Sequence, residues 1–118
     1  MFFGLFFMVC VGGEFLGEIE QSRILAERYG CDREVVLEDG SRADLVSRDY
    51  AVEVEWCEKW KEAPAQAVLY SVWTGKKPAV ILLAGKGDAA SEKVSILRCK
   101  LVCERLGVKL AVVKAREK

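Results

Sequence analysis

The chain of 118 residues contains no histidine. That absence excludes imidazole metal ligands, histidine general bases and any Ser-His-Asp arrangement. Hydrolytic chemistry, if present, falls to carboxylates, lysine, cysteine, serine or a bound metal. No excess of charge of either sign exists: 18 basic residues balance 18 acidic ones. A strongly basic surface for non-specific nucleic-acid binding is therefore missing, although a local basic groove remains compatible with zero net charge. No Cys-x-x-Cys pair occurs among Cys10, Cys31, Cys57, Cys99 and Cys103. Without histidine this argues against zinc. Cys99 and Cys103 stand one helical turn apart, as two small core-facing residues would. Free buried thiols are expected, and a disulfide such as Cys31 with Cys99 or Cys103 requires export. No internal repeat, low-complexity tract or linker is found.

What the chain has is apolar surface: 52% of residues are hydrophobic, enough for one domain with one core. Thirteen residues, MFFGLFFMVCVGG, open it. The run falls short of the ~20 residues that span a bilayer. Small residues follow it, as they follow the apolar region of an export signal, but the usual basic start is lacking. Residues 1–13 are therefore a possible signal or membrane anchor, or else the start of a packed element, and residues 14–118 form one domain.

Periodicity predicts a helix over 14–29, with Phe15, Ile19, Ser22 and Ala26 as its stripe, joined by Leu16, Leu25 and Tyr29, and Gly30 as its stop. Strands are expected at 33–38 and 42–47, turning at Asp39-Gly40. A third, at 50–56, alternates Val52, Val54 and Trp56 against Ala51, Glu53 and Glu55. A helix from Glu58 to Thr74 contains Pro64, which should kink it or set its first turn apart. The apolar run 78–84 reads as a strand buried on both faces. A helix over 91–106 and a strand over 108–113 complete the order α-β-β-β-α-β-α-β. This is an α/β (α+β mixed) class: a mixed central sheet, its meander first and its crossover second, with helices on both faces.

Glu53 and Glu55 project from one face of their strand, ~6–7 Å apart. Asp44, on the preceding strand, can be brought beside Glu53. Crowded carboxylates repel unless a cation sits among them, and hard oxygen donors suit Mg²⁺ or Mn²⁺. Such an ion polarises a phosphoryl oxygen and acidifies bound water. Lys59 and Lys61 follow closely enough to stabilise the charge that develops. A half-solvated strand would also read VEVE. Gln66 and Tyr70 share a helix face, where they could meet a nucleotide or satisfy one another against the sheet. Of the tryptophans, Trp56 belongs in the core and Trp60 is a candidate for exposure. Lys76-Lys77 and Gly85-Lys86-Gly87 read as turns, the second lacking the spacing of a phosphate-binding loop.

These residues together resemble the PD-(D/E)XK nuclease superfamily: an acid in RADLV (Asp44), Glu53 opening EVE, and Gln66 with Tyr70 in QAVLY. The resemblance implies the restriction-endonuclease-like α-β-β-β-α-β core. It also implies metal-dependent hydrolysis of nucleic acid, with Asp44, Glu53 and the Val54 carbonyl holding the metal. A glutamate on the first helix is implied too, Glu20 first and Glu18 second. The family's strand lysine is replaced by Glu55, an added ligand or a brake, so Lys59 is expected to supply the cation, with Lys61 behind it. Gln66, Tyr70 and Lys61 would bind substrate. A small subgroup with EV(D/E) and a following KW helix is similar, and is often exported. The alternative is a nuclease fold that has lost catalysis and serves as a binding or interaction module.

Overall fold

The computed structural model describes residues 14–118. The apolar run 1–13, with Cys10 and the expected signal or anchor, lies outside the described residues. The described elements are α1 (Glu18–Tyr29), β1 (Asp32–Val36), β2 (Arg42–Val46), β3 (Tyr50–Trp56), a 3-10 segment (Cys57–Glu62), α2 (Ala63–Thr74), β4 (Lys77–Ala84), α3 (Ala89–Leu106) and β5 (Lys109–Lys114). The class is α/β, in the expected order α-β-β-β-α-β-α-β. One five-stranded sheet runs β1-β2-β3-β4-β5. The first three strands are antiparallel neighbours, and β3, β4 and β5 are parallel.

The hydrophobic pattern places the layers. Along β4, Ala79, Ile81 and Leu83 pack with Val52, Val54 and Trp56 of β3 under Leu25 and Ala26 of α1. Val80 and Leu82, on the other face, pack with Ala63 and Ala67 of α2 and Cys99 and Cys103 of α3. A strand covered on both faces has no polar side to show, which is why PAVILLA is continuously apolar. Trp56 is core, as its alternation with Val52 and Val54 predicts. Among the described cysteines all four are free thiols. Burial pushes Cys57 up to about 11 and Cys99 up to about 12.

Apart from β3, the strands shift by one or two residues from the sequence pattern, the first ending at Val36 and not 38, and all three helices differ from it as well. The first helix begins at Glu18, not 14, because residues 14–16 run extended along the C-terminal segment. Leu16 N donates to the Arg116 carbonyl (3.1 Å), and Lys118 N donates to that of Glu14 (2.9 Å). Backbone partners 100 residues away thus displace a helical stretch that local pattern favours. The predicted 58–74 helix is divided. Pro64 falls in the first turn of α2, where its missing N–H costs nothing, and the preceding residues form the 3-10 segment. The last helix starts two residues early, since Asp88 caps it by accepting from Ser91 N at 2.9 Å. Beside that cap, Glu92 accepts from the backbone N–H of Gly85 (2.8 Å) and Gly87 (3.0 Å). The donors of the Gly-Lys-Gly turn are thereby committed inside the protein. Among the described residues no helix is long and apolar enough to cross a membrane.

Gln21 joins the two ends of the described chain. It is a buried polar residue of α1, 2% exposed. Its amide nitrogen donates to the carbonyls of Leu16 (3.1 Å) and Arg116 (2.9 Å), and its amide oxygen accepts from Arg116 N (3.0 Å). Substituting Gln21→Ala strands these backbone groups and should lower unfolding stability by about 2–3 kcal/mol, measured by denaturant titration. Hydrogen exchange should accelerate first in residues 14–16 and 115–118.

Candidate active site

The site begins where β2 and β3 part. Their ladder holds two pairs, Leu45↔Val52 and Val46↔Ala51. One step further the backbones no longer pair, and the Asp44 side chain fills the gap: its Oδ2 accepts from Val54 N at 2.8 Å. In an extended strand the N–H and C=O of one residue face the same neighbour, so the Val54 carbonyl also aims into this fork. On the other side of Asp44 the β1–β2 ladder skips a step between Arg33↔Leu45 and Val35↔Ala43. The skipped residue, Glu34, has φ 49°, the left-handed region that a side chain rarely adopts. Asp44 therefore sits between two interruptions in the sheet.

Glu53 lies beside it. The two carboxyls are within hydrogen-bonding reach, which requires a shared proton. Desolvation, then the Asp44 charge, drives Glu53 up to about 9, while the Tyr70 hydroxyl pulls the other way. That hydroxyl donates to Glu53 Oε1 at 2.8 Å. Tyr70, expected to bind substrate, is buried and its hydroxyl is committed to this bond, so it positions Glu53 from α2. Its own ionisation is pushed far up by burial and the Glu53 charge. Asp44 is also raised, by desolvation first, against the opposing Val54 N–H.

A second acid pair adjoins the first. Glu18, in the first turn of α1, is hydrogen-bonded to Glu55 and feels the Asp44 charge. Desolvation, then Glu55 and Asp44, raises it to about 7, with Lys59 opposing. Glu55 Oε1 also accepts from Trp56 N at 2.9 Å. Lys59 stands exposed in the 3-10 segment, where its φ of −107° interrupts the helical path. Lys61 is exposed on the same segment, and Gln66 is half-buried one turn before Tyr70. The structure thus brings together Asp44, Glu53, Val54, Glu55 and Tyr70, with Lys59 within electrostatic reach.

Glu20 is not among them. It is exposed and paired with Arg23 at 2.8 Å, and Glu18 takes the place expected of it. Residues two apart on a helix point roughly 200° apart, so only one of the two acids can share the packed face of Ser22, Leu25 and Ala26, and that one is Glu18. Arg33 went unrecognised in the sequence. Its Nη1 is buried without a hydrogen-bond partner, beside a cavity of about 50 Å³ lined by Glu18, Ser22, Glu34 and Asp44. Nothing in the run DREVV signals this burial, and the same nitrogen lies 3.8 Å from Glu34 Oε2.

Among the described residues no three acidic or thiol side chains converge as metal ligands. The oxygen donors present are two carboxylates, Asp44 and Glu53, and one backbone carbonyl, Val54. That set suits Mg²⁺ or Mn²⁺, which bind through one or two carboxylates and keep several waters.

The raised carboxyls make stability pH-dependent. Between 4.5 and about 9 the folded chain retains a proton at Glu53 that the unfolded chain has released, and between 4.5 and about 7 another at Glu18. Stability should therefore fall as pH rises through these windows. Without divalent ions, denaturant melts at pH 5 and pH 9 should differ by at least about 1.4 kcal/mol, the worth of one pKa unit. Glu53→Gln should flatten the upper part of the curve.

No family model matches the chain, and no solved structure matches it. Among curated proteins, a KilA-N domain-containing protein of Acanthamoeba polyphaga mimivirus, L33, is 32% identical over 95 residues, which cover 80% of this chain and 36% of that protein. The chain spans about a third of the length of the relative it matches. The assignment to the PD-(D/E)XK superfamily is overturned by these findings. In physical terms, the strand position that must supply a cation holds Glu55. The similarity found is to the mimivirus KilA-N domain-containing protein.

Proposed function

We propose that the chain is a metal-dependent phosphodiesterase acting on nucleic acid. The observation that carries this reading is the Asp44–Glu53 pair. Two desolvated carboxylates are held against each other at a fork in the sheet, and each is fixed by a separate donor, Val54 N–H and the Tyr70 hydroxyl. Stability alone does not favour such an arrangement, since like charges in low dielectric repel. Perturbed acids held together by specific partners are what a reactive site requires.

Asp44, Glu53 and the Val54 carbonyl would hold Mg²⁺ or Mn²⁺. Bound there, the ion supplies a polarised phosphoryl oxygen and water acidic enough to attack. The chain does the rest. Tyr70 and Val54 N–H keep the carboxylates oriented, so little reorganisation is needed. Glu18, poised near 7, accepts a proton within the physiological range. Lys59 offers its ammonium to the charge that builds on phosphorus, in place of a lysine at 55. Gln66 and Lys61 line the approach for the polynucleotide backbone.

A second reading is a binding or interaction module with this fold and no catalysis. It is favoured by the exposure of Lys59 and by the lack of a third converging acid among the described residues. One experiment separates the two. The full chain is incubated with single- and double-stranded DNA and RNA, with Mg²⁺, with Mn²⁺ and with chelator. Metal-dependent cleavage is expected, abolished by Asp44→Asn and slowed by roughly 10²-fold in Lys59→Ala. Asp44→Asn should melt no lower than the parent. Mn²⁺ should raise the parent's melting temperature and leave that of Asp44→Asn unchanged. Cleavage by Asp44→Asn at the parent's rate would overturn the assignment. No cleavage and no metal-induced stabilisation would favour the module.

A further inference from the structure

Helix α3 is apolar on two opposite sides. Cys99 and Cys103 are buried against the sheet. Turned away from them, Val94, Leu97 and Leu101 are 47%, 57% and 59% exposed. Their spacing of three and four residues, continued upstream by Ala90, makes one stripe. Polar side chains normally occupy the side of a helix that faces water, and nothing in the packing of α3 calls for leucines there.

The borders of the stripe are basic. Lys93 and Lys100 run along one edge, and Arg98 and Arg105 along the other. All four are exposed, and none enters an ion pair among the described residues. Glu104 is the one acid on these borders. We infer that this face of α3 docks on an anionic lipid membrane, lying flat with its stripe at the acyl boundary and its four cations at the headgroups. From Ala90 to Leu101 the stripe is about 17 Å long at the helical rise.

Charge decides between occupants. A second copy laid along the stripe, in either direction, would set cations against cations. Nucleic acid would satisfy the cations but leave the leucines facing phosphate and water. An anionic bilayer meets both demands together, as for other basic amphipathic helices. This surface uses no residue of the Asp44–Glu53 site and does not depend on its chemistry.

The test must separate α3 from the apolar run 1–13, which has no charged side chain and would bind lipid without regard to headgroup charge. The full chain is co-sedimented with vesicles of phosphatidylcholine alone and of phosphatidylcholine mixed with phosphatidylglycerol. Partitioning onto the anionic vesicles should exceed that onto neutral ones by roughly tenfold at low salt and weaken as salt rises. Arg98→Gln with Arg105→Gln should reduce it by roughly tenfold, and so should Leu97→Ser with Leu101→Ser. These positions are exposed, so thermal melts should stay close to the parent's. Equal partitioning onto both vesicle types, or indifference to both pairs of substitutions, would overturn the proposal. So would absence from both vesicles together with a dimer that dissociates in Leu97→Ser/Leu101→Ser, which would assign the stripe to a second copy.

Discussion

The contact on which the site depends is the hydrogen bond from Val54 N to the Asp44 carboxylate. It replaces a ladder bond that the sheet would otherwise make, and so lets β2 and β3 separate without leaving a buried N–H unpaired. The separation makes room for Glu53 beside Asp44, and Tyr70 reaches Glu53 from α2. The strained backbone at Glu34 lies on the opposite flank of Asp44. A single acid thus takes up the irregularity of three strands. The cost is a pair of desolvated carboxyls that keep a proton well past the usual range.

The surrounding sheet is rigid enough to hold this arrangement. β3 pairs with β4 through seven consecutive residues, Tyr50↔Lys77 to Trp56↔Leu83. Glu53 and Glu55 are therefore displayed from the best-supported strand, and Asp44 from one that is free to diverge. Helices on both faces seal β4, while Gln21 fastens α1 to the C-terminal segment. That fastening sets the start of α1, and with it the presentation of Glu18 to the acids. A remote hydrogen-bond group and a site residue are linked through the start of one helix.

The two apolar sides of α3 obey different constraints. Cys99 and Cys103 are packed because the sheet face must be covered, whereas Val94, Leu97 and Leu101 are in water. An averaged hydropathy of the helix cannot tell these sides apart. The position of α3 at the outside of the layer distinguishes them.

Much of the fold was legible in the chain. Strict alternation over 50–56, the unbroken apolar run at 78–84 and the glycine stops gave the element order and the mixed sheet, because burial and backbone geometry are local demands that leave periodic marks. Asp44, Glu53 and Glu55 were visible for the same reason, as acids at alternating positions. Tertiary structure alone decided that the first helix begins at Glu18, that the Tyr70 hydroxyl is bonded to Glu53, and that Arg33 Nη1 is buried. Each of these depends on where an element starts or bends, and those points are set by partners far along the chain: Arg116 for the first helix, Leu45 and Ala43 for the distorted first strand. Periodicity records which face of an element is buried. It holds no record of the distant atom that fixes where the element begins.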